Sequence, residues 1–136
     1  MGRILGLDIG TKTIGLAISD PLGMIASNLK TIKRKDLNTD IQSVIDVINV
    51  YDVTLLVCGL PLNMNGDSGK QVSRVKNVAE RIKDRSGINL VYEDERLTTV
   101  SAERCLIESK VRRENRKKYV DQIAASIILK SYLDRR

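Results

Sequence analysis

Histidine is absent from this chain of 136 residues, and cysteine occurs only twice. Without histidine the chain cannot form a serine–histidine–aspartate triad, use an imidazole base or build a histidine-containing zinc site. Cys58 lies in an apolar run and Cys105 in a predicted helix, as expected for free, buried thiols. Any catalysis must therefore use carboxylates, lysine, arginine, hydroxyls or a hard metal ion held by oxygen ligands.

Tryptophan and phenylalanine are also absent, and no apolar run reaches the length of a membrane span. The lack of tryptophan and phenylalanine argues against proteins that read single-stranded nucleic acid on aromatic platforms. The N-terminus has no signal-peptide pattern, and together with the free thiols this predicts a cytoplasmic protein without a membrane partner. The length predicts a single domain covering residues 1–136.

Positive charge is present in excess and is concentrated in two segments. The formal net charge is +6, and the segments are KTIKRK (30–35) and KVRRENRKK (110–118). Such a distribution suits a polyanionic partner, and without large aromatics phosphate contacts would dominate the binding of a nucleic acid.

Hydrophobic patterning predicts an α/β fold with a mixed five-stranded sheet. The short links predict antiparallel pairing of the first three strands, and intervening helices predict parallel crossovers after them, with helices on both faces. The predicted strands cover 3–9, 13–19, 24–33, 53–60 and 88–93. Helical spacing predicts a first helix capped by Asn38 or Thr39 and a second that is marked by Val72 to Ile82 and ends near Ser86-Gly87. A third helix, capped by Thr98 or Thr99, is predicted to run to about Ser109, and a last one over about 115–133.

Asp8 lies inside the predicted first strand, in the segment ILGLDIGTKTIGLAISD (4–20). A carboxylate in an apolar strand is costly unless it is paired, hydrogen-bonded or bound to a metal. The backbone amides of the Gly10–Lys12 turn offer one structural explanation, and a cation ligand is the favoured functional one.

Glu93, Asp94 and Glu95 end the last predicted strand, where ligands bind in open α/β sheets. Alternation along the strand places Glu93 and Glu95 on one face and Asp94 on the other. A solvated turn would explain at least two of these acids, and the sequence leaves open which of the three faces Asp8.

Asp121 heads a stripe of the last helix that continues through Ala124, Ala125 and Ile128. This spacing predicts that Asp121 lies on the core-facing side, and the two alanines would let the helix approach the sheet closely. An acid near a helix start is also favoured by the helix dipole, so a structural role remains open as well.

Carboxylates converging from a strand, a strand end and a helix would form an all-oxygen site suited to Mg²⁺ or Mn²⁺, as in a nuclease. Lys12 would lie near Asp8 and could contact a phosphate or pair with an acid. Cations near the start of the last helix oppose its dipole, which is tolerable if they face phosphates. The loop 59–69 could cradle a phosphate, although it matches neither of the common glycine-rich phosphate motifs.

Four ordered segments carry a resemblance to a known family: GLDIGTKTIGLAISD, GLPLNMNGDSG, DERLTTVSAER and DQIAASIILKSYLD. Together they resemble the YqgF (RuvX) family over about residues 3–134. The resemblance implies a ribonuclease H-like fold and a Mg²⁺-dependent (or Mn²⁺-dependent) nuclease. It also implies an acidic triad of Asp8, Glu95 and Asp121, with Asp94 as the alternate to Glu95.

The resemblance implies a nucleic-acid partner, with pre-16S ribosomal RNA favoured and branched DNA (a Holliday junction) possible. The chain would be a monomer or a weak homodimer. The residues expected to contact the nucleic acid are all cationic: Lys12, Arg96, Arg112, Arg113, Arg116, Lys117 and Lys118.

Two other functions compete with a nuclease. A non-catalytic RNA-binding assembly factor would keep the fold and the basic segments without using the acids. The DIGT turn also resembles the phosphate hairpin of sugar kinases and actin-like ATPases, but these need two such domains around the nucleotide, and 136 residues provide one.

Overall fold

The computed structural model describes residues 2–61, 69–94 and 113–136, with the side chains of the last helix described from Ala124 onward. Five strands and three helices occupy these ranges. In chain order they are β1 (Arg3–Ile9), β2 (Thr13–Ser19), β3 (Ala26–Lys33), α1 (Leu37–Tyr51), β4 (Val53–Leu60), α2 (Gly69–Ser86), β5 (Asn89–Asp94) and α3 (Arg113–Arg135).

The strands form one mixed sheet in the order β3-β2-β1-β4-β5. Strands β1, β2 and β3 pair antiparallel, whereas β4 pairs parallel with β1 and β5 pairs parallel with β4. This is the predicted arrangement. Since β1 is central, the carboxylate of Asp8 originates from the middle of the sheet.

Helices cover both faces of the sheet, as the sequence predicted. One apolar cluster joins Leu5, Leu7 and Ile9 of β1 to the buried sides of α1 and α2. A second cluster joins Ile4 to α3, on the opposite face. Alternation along β1 therefore directs its even-numbered side chains, including Asp8, toward α3.

Strand β3 begins at Ala26 rather than at the predicted residue 24, because the preceding turn is closed by a side chain. The Asp20 carboxylate accepts hydrogen bonds from the backbone amides of Met24 (2.7 Å) and Ile25 (2.9 Å). These amides are held in the turn, and the apolar side chains of both residues are exposed. The hydrophobic pattern therefore predicted a strand that begins two residues too early.

Helix α1 is capped by Asp36, not by the predicted Asn38 or Thr39. The Asp36 carboxylate accepts from the Thr39 amide at 2.9 Å and from the Thr39 hydroxyl at 2.8 Å. An aspartate three residues before a free amide is a typical N-cap, and the prediction placed the helix start too late. Helix α3 likewise begins at Arg113, two residues before the predicted start.

Two further predictions can be compared with the described ranges only in part. Cys58 is buried and forms no disulfide with another described residue, as predicted. Cys105 and the predicted helix that runs to about Ser109 lie outside the described residues. Among the helices of the described ranges, none combines the length and apolar character needed to cross a membrane.

Strand β3 forms one edge of the sheet. Among the described strands its only partner in the sheet is β2, and the two pair along their length from Ala26 opposite Ser19 to Lys33 opposite Thr13. The side chains of Lys30 and Lys33 on this edge strand are exposed.

Candidate functional site

Asp8 lies near the carboxyl end of β1, between Leu7, which is fully buried, and Ile9. Its own side chain is partly exposed. The carboxylate thus extends from a rigid central strand into the solvent-accessible layer between the sheet and α3. This position is consistent with the predicted ligand role, and it keeps the acid reachable from outside.

Glycines flank Asp8 on both neighbouring strands. Gly15 is its direct partner on β2. On β4, Gly59 directly follows Cys58, which pairs with Leu7. Since directly opposed side chains on a sheet are only about 5 Å apart at Cβ, two glycines leave the Asp8 carboxylate without a side chain beside it on either strand.

Helix α3 approaches β1 closely at Gly6, two residues before Asp8. A Cβ atom at Gly6 would lie 2.9 Å from the Ala125 carbonyl oxygen and 2.9 Å from the Leu129 Cβ. Ala125 is itself buried at 1% exposure. The predicted close approach through the alanines is confirmed, and Gly6 supplies the sheet side of that contact, which the sequence interpretation did not identify.

The contact between Gly6 and Ala125 also indicates where the backbone of position 121 lies relative to Asp8. Position 121 lies one helical turn before Ala125, and Asp8 lies two residues after Gly6. The C-terminal Arg136 of the chain contacts Gly23 and lines a groove with Gly2, at the opposite end of β1. Helix α3 therefore runs antiparallel to β1, and its turn containing position 121 lies toward the Asp8 end of the strand.

The acidic run at the end of β5 is divided by strand alternation. Glu93 pairs with Gly59 and lies on the α3 face with Asp8, whereas Asp94 lies on the opposite face. Glu93 is buried at 7% exposure and accepts hydrogen bonds from Arg135 at 2.6 and 3.3 Å. This ion pair gives Glu93 a structural role, tying β5 to the end of α3. Glu95 lies outside the described residues.

A buried ion pair that the sequence interpretation missed stabilises the turn after Asp8. Asp40 is 2% exposed and accepts from Arg34 Nε at 3.0 Å and from the Lys35 amide at 2.9 Å. Arg34 Nη1 in turn donates to the Gly10 carbonyl at 2.9 Å, and the Arg34 amide donates to the Lys12 carbonyl. The β1–β2 turn is thus attached to the junction of β3 and α1.

The sequence carried a signal for this pair. Asp40 lies four residues before Val44 and therefore on the apolar stripe of α1, a position where an acid needs a buried partner. Asp40 was not singled out from the sequence as a candidate for burial.

The predicted phosphate-contacting cations fall in two places. Lys12 is exposed in the β1–β2 turn, close to Asp8 along the chain. Four cations occupy the first two turns of α3, of which only the backbone is described, namely Arg113, Arg116, Lys117 and Lys118. Arg96, Arg112 and residues 62–68 of the predicted phosphate loop lie outside the described residues.

Carboxylate oxygens around Asp8 are a donor set that suits a hard divalent cation. Among the side chains that the structure describes, no three carboxylate or cysteine groups converge on one point. Two of the three predicted ligands, Glu95 and Asp121, have no described side chain, so the metal site remains a prediction based on Asp8 and the backbone of α3.

Comparison with known proteins identifies the family. The model of the RuvX family, described as Holliday junction resolvase, matches residues 2–135. The chain belongs to the RuvX family. A "Putative pre-16S rRNA nuclease" of Clostridium tetani is 50% identical over 132 residues, which cover 97% of this chain and 96% of the relative. A protein of the same description from Moorella thermoacetica is 47% identical over 133 residues, covering 98% and 95%.

Solved structures similar to this RuvX-family chain share its fold. A T. thermophilus RuvC in complex with Holliday junction substrate has a TM-score of 0.62 at 12% identity, covering 99% of this chain and 96% of that one. The fowlpox virus Holliday junction resolvase has a TM-score of 0.56 at 17% identity, covering 98% and 99%. The predicted ribonuclease H-like fold is confirmed.

Proposed function

We propose that this RuvX-family protein is a cytoplasmic nuclease that hydrolyses phosphodiester bonds with the help of Mg²⁺ or Mn²⁺. The single observation that carries the proposal is the position of Asp8. It is a partly exposed carboxylate at the end of the central strand, flanked by glycines and facing the helix that contains position 121. The family relationship supports the same chemistry.

In this proposal Asp8, Glu95 and Asp121 hold the divalent cation through their carboxylate oxygens. Asp94 is a weaker alternative to Glu95 because strand alternation places it on the face away from Asp8. A cation bound there would activate a water molecule and stabilise the leaving oxygen of the phosphodiester. The protein's own contribution is rigidity: Asp8 is held by a central strand, and the turn after it is fixed by Arg34.

Pre-16S ribosomal RNA is the favoured substrate. Relatives that match almost the whole chain at about half identity are named for this RNA. The similar solved structures named for junctions share only the fold, but the family model is itself described as Holliday junction resolvase, so branched DNA is the alternative substrate. Paired cuts in a four-way junction would also need a symmetric arrangement of two copies. A monomer or weak homodimer suffices for a processing cut in RNA.

Cleavage of a pre-16S RNA fragment by purified wild-type protein, compared with Asp8→Asn and Asp121→Asn, tests the proposal. We expect cleavage with Mg²⁺ or Mn²⁺, none with EDTA, and a large loss in both variants. Asp46→Asn is the matched control because Asp46 is exposed on α1 and hydrogen-bonds only with Gln42 among the described residues. Cleavage that survives both substitutions would refute the assigned site.

The same assay with a synthetic four-way DNA junction distinguishes the two substrates. Faster cleavage of the junction than of the RNA would transfer the proposal to branched DNA. Wild-type protein that binds RNA but cleaves neither substrate with any of the metals would favour the non-catalytic assembly factor.

The basic residues at the start of α3 are proposed to contact phosphates. Arg113→Ala combined with Lys117→Ala should weaken RNA binding and make it less sensitive to salt, with a slope lower by about 0.7 per lost contact on a single strand. Lys83→Ala combined with Lys130→Ala removes the same charge from surface ion pairs elsewhere. Equal slopes for the two double variants would exclude direct phosphate contact by Arg113 and Lys117.

A further inference from the structure

A shallow cleft lies on the face of the sheet opposite the Asp8 side chain. It is bounded by the β1–β2 turn, the end of β3 and the first turns of α2. Ile9 and Val75 are buried and form its apolar floor. Its polar lining consists of Thr11, Arg34, Gln71 and Arg74.

Arg34 presents a fixed donor to this cleft. Its Nε donates to Asp40 and its Nη1 to the Gly10 carbonyl, so the guanidinium plane is held on two sides. Among the described residues, Nη2 has no hydrogen-bond acceptor. A guanidinium held in this way loses little conformational freedom when its remaining N–H groups bind a planar or tetrahedral oxyanion.

Arg74 supplies a second cation from the second turn of α2. Its side chain is exposed and forms no ion pair with any acid of the described ranges. Lys70 lies four residues earlier, so two like charges are neighbours on the helix surface near its N-terminus. Both the repulsion between them and the helix dipole oppose this arrangement, and the first turn contains no acid to compensate. A bound anion would offset both, because it attracts each cation and is itself favoured at a helix N-terminus.

We propose that this cleft is a phosphate subsite for the nucleic-acid backbone, with Arg34 Nη2 and Arg74 as its cationic ligands. Gly10, whose carbonyl is held by Arg34, is two residues from Asp8 along the strand, a distance of about 7 Å. A strand whose scissile phosphate reaches Asp8 would cross the β1–β2 turn beside Lys12 and place a neighbouring phosphate in the cleft. The subsite thus extends the contact surface to the side of the sheet away from α3.

This subsite rests on the proposed function, and binding measured without cleavage tests it separately. Fluorescence anisotropy in EDTA, with a short fluorescein-labelled RNA as a single strand and as a duplex, gives the affinity across a range of KCl concentrations. Arg74→Gln is compared with Arg85→Gln on the same helix. Arg85 follows Arg74 by about three helical turns, so both side chains lie on one side of α2, about 16 Å apart.

We expect Arg74→Gln to weaken binding several-fold and to lower the salt slope by about 0.7 on single-stranded RNA, with a lower slope on the duplex as well. Arg85→Gln should leave the slope unchanged. Arg74→Glu should weaken binding more than Arg74→Gln. At position 85 the difference in affinity between the glutamate and glutamine variants should be smaller than at position 74.

Equal effects of the two glutamine variants would overturn the subsite, since they would reflect only the overall charge. Failure of the wild-type protein to bind either form of RNA would overturn it as well. If Arg74→Gln alone loses affinity while wild-type protein cleaves nothing with Mg²⁺ or Mn²⁺, the subsite stands and the proposed nuclease activity fails.

Discussion

Replacement of Gly6 by alanine should destabilise the protein and displace the helix that contains position 121. The added Cβ would lie 2.9 Å from the Ala125 carbonyl oxygen and from the Leu129 Cβ. Ordinary contacts begin near 3.4 Å, so α3 must move away by about 0.5 Å. The Ala125 oxygen belongs to the helix backbone and cannot rotate out of the way.

The expected magnitude follows from two opposing terms. Overpacking a core contact costs about 1–3 kcal/mol, and replacing glycine by alanine recovers about 0.4–1 kcal/mol through the unfolded chain. The difference between the two ranges is a net loss of about 0–2.6 kcal/mol with a centre near 1.3 kcal/mol, or roughly 5 °C in melting temperature for a domain of this size. Since misplacement by 1 Å can cost about a hundredfold in rate, a shift of half that size should reduce cleavage about tenfold.

Urea denaturation measures the stability, and cleavage of the pre-16S RNA fragment well below the melting temperature measures the rate. Gly69→Ala is the matched control for stability because a Cβ at Gly69, at the start of α2, meets no atom of the described residues within 4 Å. That variant should be neutral or slightly more stable than wild type. Gly6→Ala with wild-type stability and rate would refute the argument that α3 is held against β1 at a fixed, minimal distance.

Three further predictions concern stability alone. Asp40→Asn should lower the free energy of unfolding by about 3 kcal/mol because it breaks a buried ion pair. The control Asp46→Asn, at an exposed position, should change the urea midpoint little. Equal urea midpoints for the two variants would be incompatible with a buried pair. Gly87→Ala should cost about 1 kcal/mol because Gly87 has φ +73° at the end of α2, and a more stable variant would contradict this conformation. The hydrogen bonds from Thr39 to Asp36 lower the pKa of that carboxyl below its ordinary value of 3.8. The ionised Asp36 therefore stabilises the folded protein above this pH, and the stabilisation is lost as the pH falls through the folded-state pKa. The difference in unfolding free energy between wild type and Asp36→Asn should accordingly shrink on acidification from pH 7. A difference that grows instead would show that folding raises the pKa of Asp36.

The sequence was sufficient to predict the sheet and its layers because the apolar pattern is strong. Near-continuous hydrophobic runs marked β1 and β4 as central strands, and the stripe after Asp121 marked the face of α3 that packs on them. The strand start at Ala26 and the cap at Asp36 were missed because a single carboxylate closes each of these turns. Such local hydrogen bonds compete with hydrophobic patterning.

The candidate site could be predicted only as far as local patterns reach. Asp8 was identified because its position in an apolar strand is costly. The partner of Glu93 is Arg135, 42 residues further along the chain, and no local spacing connects them. Arg34 and Asp40 are close in the chain, but their contact depends on the turn that joins β3 to α1, and this turn has no strong sequence pattern.

The edge strand β3 also affects how two copies of this protein could meet. An uncovered sheet edge offers unpaired backbone groups to any second strand, and exposed lysines are a common safeguard against such pairing. Two copies joined at β3 about a two-fold axis between residues 31 and 32 would bring Lys30 of each copy against Lys33 of the other. Growth of the sheet from one molecule into the next is therefore opposed at β3, and a pair of copies cutting a branched substrate would have to associate through another surface.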